Sequence, residues 1–304
     1  VSATDNSTSD ASVINQADTH EVLGTKYVVD GSSQNQMTDP TIQEAIDKAV
    51  DGDTIEITGK NYEHCHFVVN KNLTIISNVG TTMSACPSHT TGSDGVGIFY
   101  FGPTSSGSLL SGFTLINNAG KNGNVDPYAI YINGAKNIQI TNNTISEVSD
   151  GPGIYLKKAT QITITNNNIK YSQKGILLEN SASIIITNNK IEKNNNAGIY
   201  LGTGNKNINI LNNDIIGNKW KGVVVESANN VNIISNIIMN NRDNTLQERA
   251  NNGAGVYVDC AVTSLKINGN YIFENGNYGV FDTYKTKASF ANNYQAQEIN
   301  FNVL

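Results

Sequence analysis

Hydrophobic residues recur along this chain in short groups that return at a nearly constant interval. One six-residue phrase, Ile-Thr-Asn-Asn-x-Ile or a close variant, occurs six times between residues 140 and 272. The second Asn of successive phrases is separated by 24, 22, 24, 23 and 34 residues; these residues are Asn143, Asn167, Asn189, Asn213, Asn236 and Asn270. A repeat of this size predicts stacked coils, with function on their outer surface and where the period is broken.

Each coil carries a second apolar strand that usually begins with a glycine, such as residues 153–156, 198–201 and 255–258. Alternation places the apolar residues on either side of each strand's midpoint inward and the residue between them outward. Stacked about 4.8 Å apart, the repeated asparagines can bond to each other and to turn backbone. Antiparallel blades would need tight hairpins and a longer repeat. The pattern therefore predicts an all-β fold, a right-handed single-stranded parallel β-helix.

The region before the repeats has a different pattern. Residues 1–24 are rich in Ser, Thr, Asn and Asp, which predicts a flexible leader. Residues 38–50 predict a short amphipathic helix that covers the open end of the first coil, with Asp39 as its cap and Pro40 in its first turn. The predicted β-helix domain spans residues 25–304, with regular repeats from about 109 to 304.

The charge and the cysteine content of the chain limit which partners and which cross-links can be expected. The net charge of -6, the pI near 5.2 and the lack of any Lys or Arg cluster argue against nucleic acid. No apolar run reaches the roughly 18 residues that span a membrane. Cys65 and Cys86 lie 21 residues apart, close to one period, so a disulfide between neighbouring coils is one of two alternatives for them. Alternation places His64 and His66 on the face opposite Cys65, so no metal site is predicted there.

The N-terminal portion carries a family resemblance in residues 41–46 (TIQEAI), 52–55 (GDTI), 59–62 (GKNY) and 73–77 (LTIIS). Together with the repeats, these segments resemble the pectin-lyase-like parallel β-helix superfamily, and they look closest to the adhesin-like surface proteins of methanogenic archaea. The resemblance implies an extracellular or cell-surface module that is one part of a longer chain. It is specific for the fold and weak for function, because the superfamily contains lyases, hydrolases, epimerases and binding proteins.

The catalytic patterns of that superfamily are incomplete in this sequence. All four His lie at or before His89, and the repeats contain no adjacent pair of Asp or Glu, which argues against a hydrolase. Epimerase-like members carry Asp-Pro-His, whereas residues 126–128 read Asp-Pro-Tyr. A calcium-dependent polysaccharide lyase remains an alternative, because Arg242 and Arg249 share one loop with Asp243 and Glu248.

Two long intervals mark where a ligand would bind. The excess residues fall in 117–127 and 240–252, on the same connection of two different coils, so both loops project from one edge of the stack. Trp220, the only tryptophan, occupies this edge one coil before the second loop. Its indole predicts either stacking on a sugar or packing beneath the loop. A rival surface is the outward row Tyr131, Tyr155, Leu177, Tyr200, Val224, Tyr257 and Phe281.

The sequence thus predicts a non-catalytic, adhesin-type module that binds glycan or another surface ligand along the loop edge, with a polysaccharide lyase and a passive stalk as alternatives. No cofactor and no metal are predicted, apart from the calcium of the lyase alternative. The candidate ligand-binding residues are Trp220, Arg242, Asp243, Glu248, Arg249, Tyr171 and Asp126.

Overall fold

Three parallel sheets wind around one core in the computed structural model, which describes residues 24–31, 35–85, 96–118, 127–242, 253–259, 262–283 and 289–295. Each complete coil contributes one strand to each sheet, and every strand pair is parallel; for example, Ile140 is in register with Ile164, and Ile164 with Ile186. This confirms the predicted parallel β-helix. The candidate disulfide partner Cys86 and the predicted leader, residues 1–23, lie outside the described residues.

The strands before residue 120 are β1 (Lys26–Val29), β2 (Thr54–Ile57), β3 (Asn61–Cys65), β4 (Phe67–Val69), β5 (Thr74–Ile76), β6 (Thr82–Ala85), β7 (Val96–Phe101), β8 (Leu109–Ser111) and β9 (Thr114–Ile116). The strands of the following coils are β10 (Pro127–Asn133), β11 (Gln139–Thr141), β12 (Thr144–Ser146), β13 (Pro152–Lys157), β14 (Thr163–Thr165), β15 (Asn168–Lys170), β16 (Lys174–Glu179), β17 (Ala182–Thr187), β18 (Lys190–Glu192), β19 (Ala197–Leu201) and β20 (Asn205–Leu211). The remaining strands are β21 (Asp214–Ile216), β22 (Lys221–Val225), β23 (Ala228–Ile234), β24 (Ile237–Met239), β25 (Ala254–Val258), β26 (Leu265–Asn268), β27 (Tyr271–Phe273), β28 (Tyr278–Asp282), β29 (Ser289–Ala291) and β30 (Tyr294–Gln295).

The chain visits the sheets in a fixed order. The first sheet has 11 strands, from β1 and β2 to β29; the second has 10, from β3 to β30; and the third has nine, from β4 to β28. Within a coil such as β11, β12 and β13, the chain passes from the first sheet to the second and then to the third. The connection from the second to the third sheet, called here the loop edge, contains the long segments 117–126 and 240–253, which include the excess residues located from the repeat spacing except Pro127, the first residue of β10.

The core is a set of isoleucine and leucine columns that run along the stack. Ile145, Ile169, Ile191 and Ile215 occupy equal positions in the second sheet, and all are fully buried. Their neighbours in each strand point outward and are less buried. Burial of an apolar side chain of this size contributes about 1.5–3 kcal/mol. Every coil therefore supplies its own share of the core.

A ladder of asparagines closes the corner between the first and second sheets. Asn167 donates its backbone N–H and its Nδ2–H to Oδ1 of Asn189, at 2.9 and 3.1 Å, and its Nδ2 also donates to the carbonyls of Ile140 and Thr165. The pattern repeats from Asn143 to Asn293, and all but the last of these residues are buried. The amides thus satisfy turn backbone that has no sheet partner, as predicted from the phrase.

The helix α1 (Thr41–Lys48) covers the N-terminal end of the stack. Ile42, Ala45 and Ile46 are buried, which confirms the predicted apolar face. The predicted cap was wrong, because the Asp39 side chain makes no capping bond to the helix. Instead, Gln36 reaches back from six residues upstream, and its Oε1 accepts the N–H of Ile42 at 3.0 Å. The helix, which covers Thr41–Lys48, is shorter than the predicted 38–50.

Candidate functional site

The outer face of the third sheet carries a continuous row of large side chains. The register joins Tyr100 to Tyr131, Tyr131 to Tyr155, and so on along the stack. Tyr131 and Tyr155 are stacked, with ring centroids 4.7 Å apart and planes at 8°, and Tyr257 stacks on Phe281 at 5.4 Å. We call this the tyrosine row; its members are Tyr100, Tyr131, Tyr155, Leu177, Tyr200, Val224, Tyr257 and Phe281.

Charged residues border the tyrosine row on both sides. On the side of the loop edge, Lys174 and Lys221 begin their strands at matching positions two coils apart. On the other side, Glu226 and Asp259 follow directly after the paired residues Val225 and Val258, so their positions lie side by side on consecutive coils. Glu179 lies in the same row, two coils before Glu226. The face therefore presents cations, rings and carboxylates in parallel rows.

Side-chain contacts tie these rows together. The Lys174 Nζ lies 4.4 Å from the ring centroid of Tyr200, and the Tyr200 hydroxyl donates to Glu226 Oε2 at 2.9 Å. The Lys221 Nζ lies 3.8 Å from the ring centroid of Tyr257. Each cation is thus held over an aromatic ring, an arrangement that stabilises both groups.

The surroundings shift the pKa values of this cluster. Burial lowers the pKa of the Lys221 ammonium below its ordinary value. Burial also raises the pKa of Tyr200, and the hydrogen bond to Glu226 and the nearby charge of Asp259 raise it further. The pKa of Tyr257 is raised by burial and by Asp259. Both phenols accordingly keep their protons at neutral pH, and Lys221 is more readily deprotonated than a solvent-exposed lysine.

The loop edge holds the residues singled out from the sequence. Trp220 and Tyr171 are each 45% exposed, and Arg242 is exposed on the coil after Trp220. The Trp220 backbone is fixed on both sides, because its N–H donates to the carbonyl of Asn196 and its carbonyl accepts the N–H of Ala254. The other candidates lie outside the described residues; these are Asp126, Asp243, Glu248 and Arg249.

Lys221 joins the loop edge to the tyrosine row. Its Nζ lies 5.5 Å from the Trp220 ring centroid and 3.8 Å from that of Tyr257. The two surfaces that the sequence presented as rivals therefore meet at one ammonium group. We refer to Trp220, Lys221, Tyr200, Tyr257, Glu226 and Asp259 together as the Lys221 cluster.

Sequence reasoning missed the carboxylates of this cluster. Glu226 and Asp259 are 33 positions apart in the sequence and become neighbours only because their coils stack, so a pattern of adjacent acidic residues does not reveal them. A signal was present: each follows the glycine of its strand by four residues, as Gly222 precedes Glu226 and Gly255 precedes Asp259.

A separate cavity of about 430 Å³ lies at the N-terminal end of the stack. Met37, His64 and His66 line it, beside Phe67 and the start of α1. Cys65 is buried and both histidines are half-buried, as predicted, but strict alternation was wrong, because a register shift between Tyr62 and Cys65 leaves both of these residues buried. Within the described part of the chain, no group of three or more His, Cys, Asp or Glu side chains is arranged to hold a metal ion.

These features define a parallel β-helix protein whose third sheet and loop edge form one aromatic, charged surface. Residues 128–294 match the family model described as the right handed beta helix region, so the chain belongs to the right-handed β-helix family. The model of a second family, described as periplasmic copper-binding protein (NosD), matches residues 4–177. A comparison with curated protein sequences finds no match.

Solved structures share this fold at low sequence identity. An alginate lyase from Paenibacillus sp. str. FPU-7 is 15% identical, with a TM-score of 0.71 over 91% of this chain and 97% of that chain. A tailspike protein of bacteriophage CBA120 is 14% identical, with a TM-score of 0.61 over 84% and 39%. A polygalacturonase from Erwinia carotovora is 14% identical, with a TM-score of 0.57 over 91% and 93%. Across the described residues, the only α-helix is far too short to cross a bilayer.

Proposed function

We propose that this protein is a secreted or cell-surface, adhesin-type β-helix that binds a glycan across the tyrosine row and the loop edge. The observation that carries the proposal is the position of Lys221 between the rings of Trp220 and Tyr257. Because this ammonium joins the two surfaces, a ligand that runs along the stack contacts aromatic faces, a cation and carboxylates at once.

The chemistry of the Lys221 cluster suits sugars. Sugar rings stack on exposed indole and phenol faces, while carboxylates and ammonium groups hydrogen-bond the hydroxyls at the ring edges. Glu226 and Asp259 are exposed, and the Trp220 ring is 45% exposed. Coils repeat about every 4.8 Å, so the surface offers a series of similar contacts to an extended polymer. The proposed partner is therefore a glycan chain rather than a compact small molecule.

Two comparisons support this proposal. The structures with the same fold include proteins named as an alginate lyase and a polygalacturonase, and the NosD family is described as periplasmic. We infer that this chain likewise acts outside the cytoplasm, as one part of a longer surface protein. Tyr171 and Arg242 extend the proposed site along the loop edge, and Asp126, Asp243, Glu248 and Arg249 complete the proposed set.

Glycan binding is tested by comparing two exposed aromatic residues. Trp220→Ala should abolish most binding on a glycan array and in calorimetry with the array hits, because the indole face on which a sugar ring would stack is lost. Tyr271→Ala is the matched control, since Tyr271 is 53% exposed on the second sheet, away from the loop edge. Both variants should unfold at the wild-type temperature. Unchanged binding by Trp220→Ala would refute the site, and no binding by the wild type would favour a passive stalk.

A second candidate function is cleavage of the bound glycan by a polysaccharide lyase. It is favoured by the position of Lys221, whose ammonium has a pKa lowered by burial, on the strand next to the one that carries the Tyr200 hydroxyl. In a β-elimination on a uronic acid polymer, the Lys221 amine would take the proton next to the carboxylate. The electron pair would form the ring double bond as the glycosidic C–O bond breaks, and Tyr200 would protonate the departing oxygen. In the calcium-dependent lyase predicted from the sequence, Asp243 and Glu248 would hold the ion, and both lie outside the described residues.

Ultraviolet absorbance separates the two functions. An unsaturated sugar absorbs, so incubation with polygalacturonate or alginate, with and without calcium, should give a rising signal only if the protein is a lyase. Lys221→Met should then abolish the signal even at polymer concentrations high enough to saturate the variant. A flat signal from the wild type with every bound polymer leaves the non-catalytic proposal standing and removes the second candidate.

Copper enters through the NosD family description. Among the described residues, no carboxylates or thiolates are clustered in a way that would hold copper, so its candidate donor groups are of other types. They are the two imidazoles and the thioether that line the N-terminal cavity, where His64 Nδ1 is shielded from solvent and lacks a hydrogen-bond partner. Imidazole nitrogen and thioether sulfur suit copper by type, but a shielded Nδ1 does not face the open cavity, so the described lining does not form a ligand set for the ion.

A further inference from the structure

The two charged borders of the tyrosine row are related by a fixed spacing. Strand β16 begins with Lys174 and ends with Glu179. Strand β22 begins with Lys221, and Glu226 follows it at the same spacing of five positions. Because the two strands lie two coils apart in register, both ammonium groups fall on one border and both carboxylates on the other. Each of these two coils thus carries one cation and one anion, on opposite sides of the aromatic row.

The two borders do not neutralise each other within one chain. Across the described residues, the ion pairs are Lys26–Glu56 and Lys190–Glu192, and neither lies on this face. The five positions between an ammonium and its carboxylate span about 17 Å of extended strand, with the tyrosine row between them. The opposite charges therefore remain free to meet a partner that presents the reverse order.

The surface between the borders is apolar and can pack closely. Leu177 and Val224 are only 9% and 3% exposed, so they fill the gaps between the tyrosine rings and do not project from the face. The coil between the two charged coils has Ala197 and Gly202 at its border positions, so no long side chain there would hold a partner away. A second flat, apolar face could therefore lie against this one.

Charge selects one of the two twofold arrangements in which this face meets itself. If the axis runs along the stack, the two stacks point the same way and their borders exchange places. Lys174 then faces Glu179 of the second copy, and Lys221 faces its Glu226, which gives four ion pairs in all because the contact is reciprocal. If the axis crosses the stack between these coils, Lys174 meets Lys221 and Glu179 meets Glu226, and like charges repel.

The coils on either side are compatible with the first arrangement. Lys157 lies on the carboxylate border one coil before Glu179, and the residue five positions earlier, which it would face, is Pro152. Asp259 lies on the same border one coil after Glu226 and would face Ala254. Neither charge would meet a like charge in the second copy.

The area of the face predicts a weak dimer. The row from Tyr131 to Phe281 crosses seven coils. With coils about 4.8 Å apart and residues about 3.3 Å apart, the face measures about 29 Å by 17 Å, or roughly 500 Å² on each copy. Stable interfaces bury about 800 Å² on each partner, and transient ones fall below about 600 Å². We therefore expect monomer and dimer to exchange, with a dissociation constant in the micromolar range or weaker.

We propose that this protein forms a reversible, parallel homodimer through the tyrosine row, held by contacts of Lys174 with Glu179 and of Lys221 with Glu226 of the second copy. The dimer does not depend on glycan binding. One consequence does rest on the proposed function: a second copy would cover the rings of the tyrosine row, so it would compete with a glycan for this face.

Sedimentation of the wild type over about a hundredfold range of concentration tests the association. The mass should rise toward that of two chains as the concentration increases. Because the ion pairs lie at the borders of the face and remain partly solvated, added salt should raise the dissociation constant at least about tenfold. Tyr271→Ala, on the second sheet, should associate as the wild type does.

Exchange of the charges tests the pairing. Lys174→Glu with Lys221→Glu makes both borders acidic, and Glu179→Lys with Glu226→Lys makes both basic. Each double variant alone should remain monomeric, since like charges would face each other. An equimolar mixture of the two should form a one-to-one complex. The variant with all four substitutions restores opposite borders and should dimerise again.

Cross-linking of the wild type tests the direction of the two stacks. A carbodiimide joins a carboxylate to an amine in direct contact, and a mixture of ¹⁴N and ¹⁵N protein marks the links between copies. The parallel dimer should give links between Lys174 and Glu179 and between Lys221 and Glu226, each with one isotope on either side. These links require no variant, so they decide the arrangement even if a double variant does not fold.

Three results would each overturn the proposal. The first is a wild type that stays monomeric at every concentration. The second is a dimer whose double charge variants associate as strongly as the wild type, and the third is a dimer that Tyr271→Ala dissociates, since both place the contact on another surface. Unfolding temperatures measured in parallel show which variants keep the fold. A glycan array without hits would leave the dimer unaffected and would count against the proposed function alone.

Discussion

Asn189 donates both its backbone N–H and its Nδ2–H to one atom, Oδ1 of Asn213 on the next coil, at 2.9 and 3.0 Å. Its own Oδ1 accepts the same two donors from Asn167. Each asparagine therefore fills four roles at a buried corner where backbone groups would otherwise be unpaired. A residue with fewer donors cannot replace it.

Replacing Asn189 with aspartate should destabilise the protein by about 3–5 kcal/mol, the usual cost of an uncompensated buried charge. An ionised carboxylate has no proton to donate to the carbonyls of Ile164 and Thr187. It also faces the acceptor Oδ1 of Asn213, so its pKa in the folded protein must rise. The folded state then binds the proton more tightly than the unfolded state, and the loss should grow as the pH rises above about 4.

Urea unfolding at several pH values checks this prediction. Asn188→Asp is the matched control, because Asn188 is exposed and aspartate tolerates its φ of 55°. The control should lie within about 0.5 kcal/mol of the wild type. Equal losses in the two variants would show that the ladder contributes little to stability.

Gly198→Ala should cost about 3 kcal/mol through overpacking. A Cβ there would lie 2.8 Å from the carbonyl oxygen of Gly222, 2.8 Å from Ile215 Cγ2 and 2.9 Å from Asn218 Nδ2. Gly80→Ala gives the contrast, because its φ is +71° and no atom lies within 4 Å, so only the left-handed conformation is penalised, at about 1 kcal/mol. Thermal unfolding should rank the two in this order; the reverse order would mean that the corner can expand.

Lys221→Met should change the pH dependence of stability. Because burial lowers the pKa of Lys221 below 10.5 in the folded protein, the unfolded chain binds its proton more tightly between the two pKa values. Wild-type stability relative to the variant should therefore rise as the pH increases toward the ordinary lysine pKa of about 10.4, and it should level off above that value. Lys219→Met, an exposed neighbour, should show a constant difference from the wild type. A constant difference for Lys221→Met as well would mean that its ammonium is fully solvated.

Gln43→Ala should loosen the first strand of the third sheet. The Gln43 side chain accepts the N–H of Val68 at 2.9 Å and donates to the Val68 carbonyl at 3.2 Å, in place of a neighbouring strand. Loss of both bonds should cost about 1–2 kcal/mol. Hydrogen exchange should accelerate at the Val68 amide and leave the central coils unchanged. Glu44→Ala, on the exposed side of α1, should leave that amide protected.

The stacking of the coils and the asparagine ladder could be predicted because they depend on residues at equal positions in each repeat. A second ladder at the loop edge was missed: Asn194 donates to Asn218, and Asn218 to Asn241. Each of these residues follows an asparagine of the first ladder by five positions, so the signal was in the sequence.

The contacts of the candidate site could not be predicted in the same way. Lys221 meets Tyr257 over the coil boundary, and Tyr200 reaches Glu226 on the next coil. Such pairs depend on side-chain length and direction as well as on register. They join residues at different positions of neighbouring repeats, whereas an alignment of the repeats compares only equal positions. The Gln36 cap was missed for the same reason, since its reach of six residues follows no local pattern.

The one-way asparagine ladder also affects how this molecule can change its length. Every coil brings an oxygen for the donors of the coil before it and donors for the oxygen of the coil after it. A duplicated or deleted unit of 22 to 24 residues would therefore meet matching chemistry at both of its junctions. Gain or loss of whole turns could lengthen or shorten the molecule without redesign of its corners.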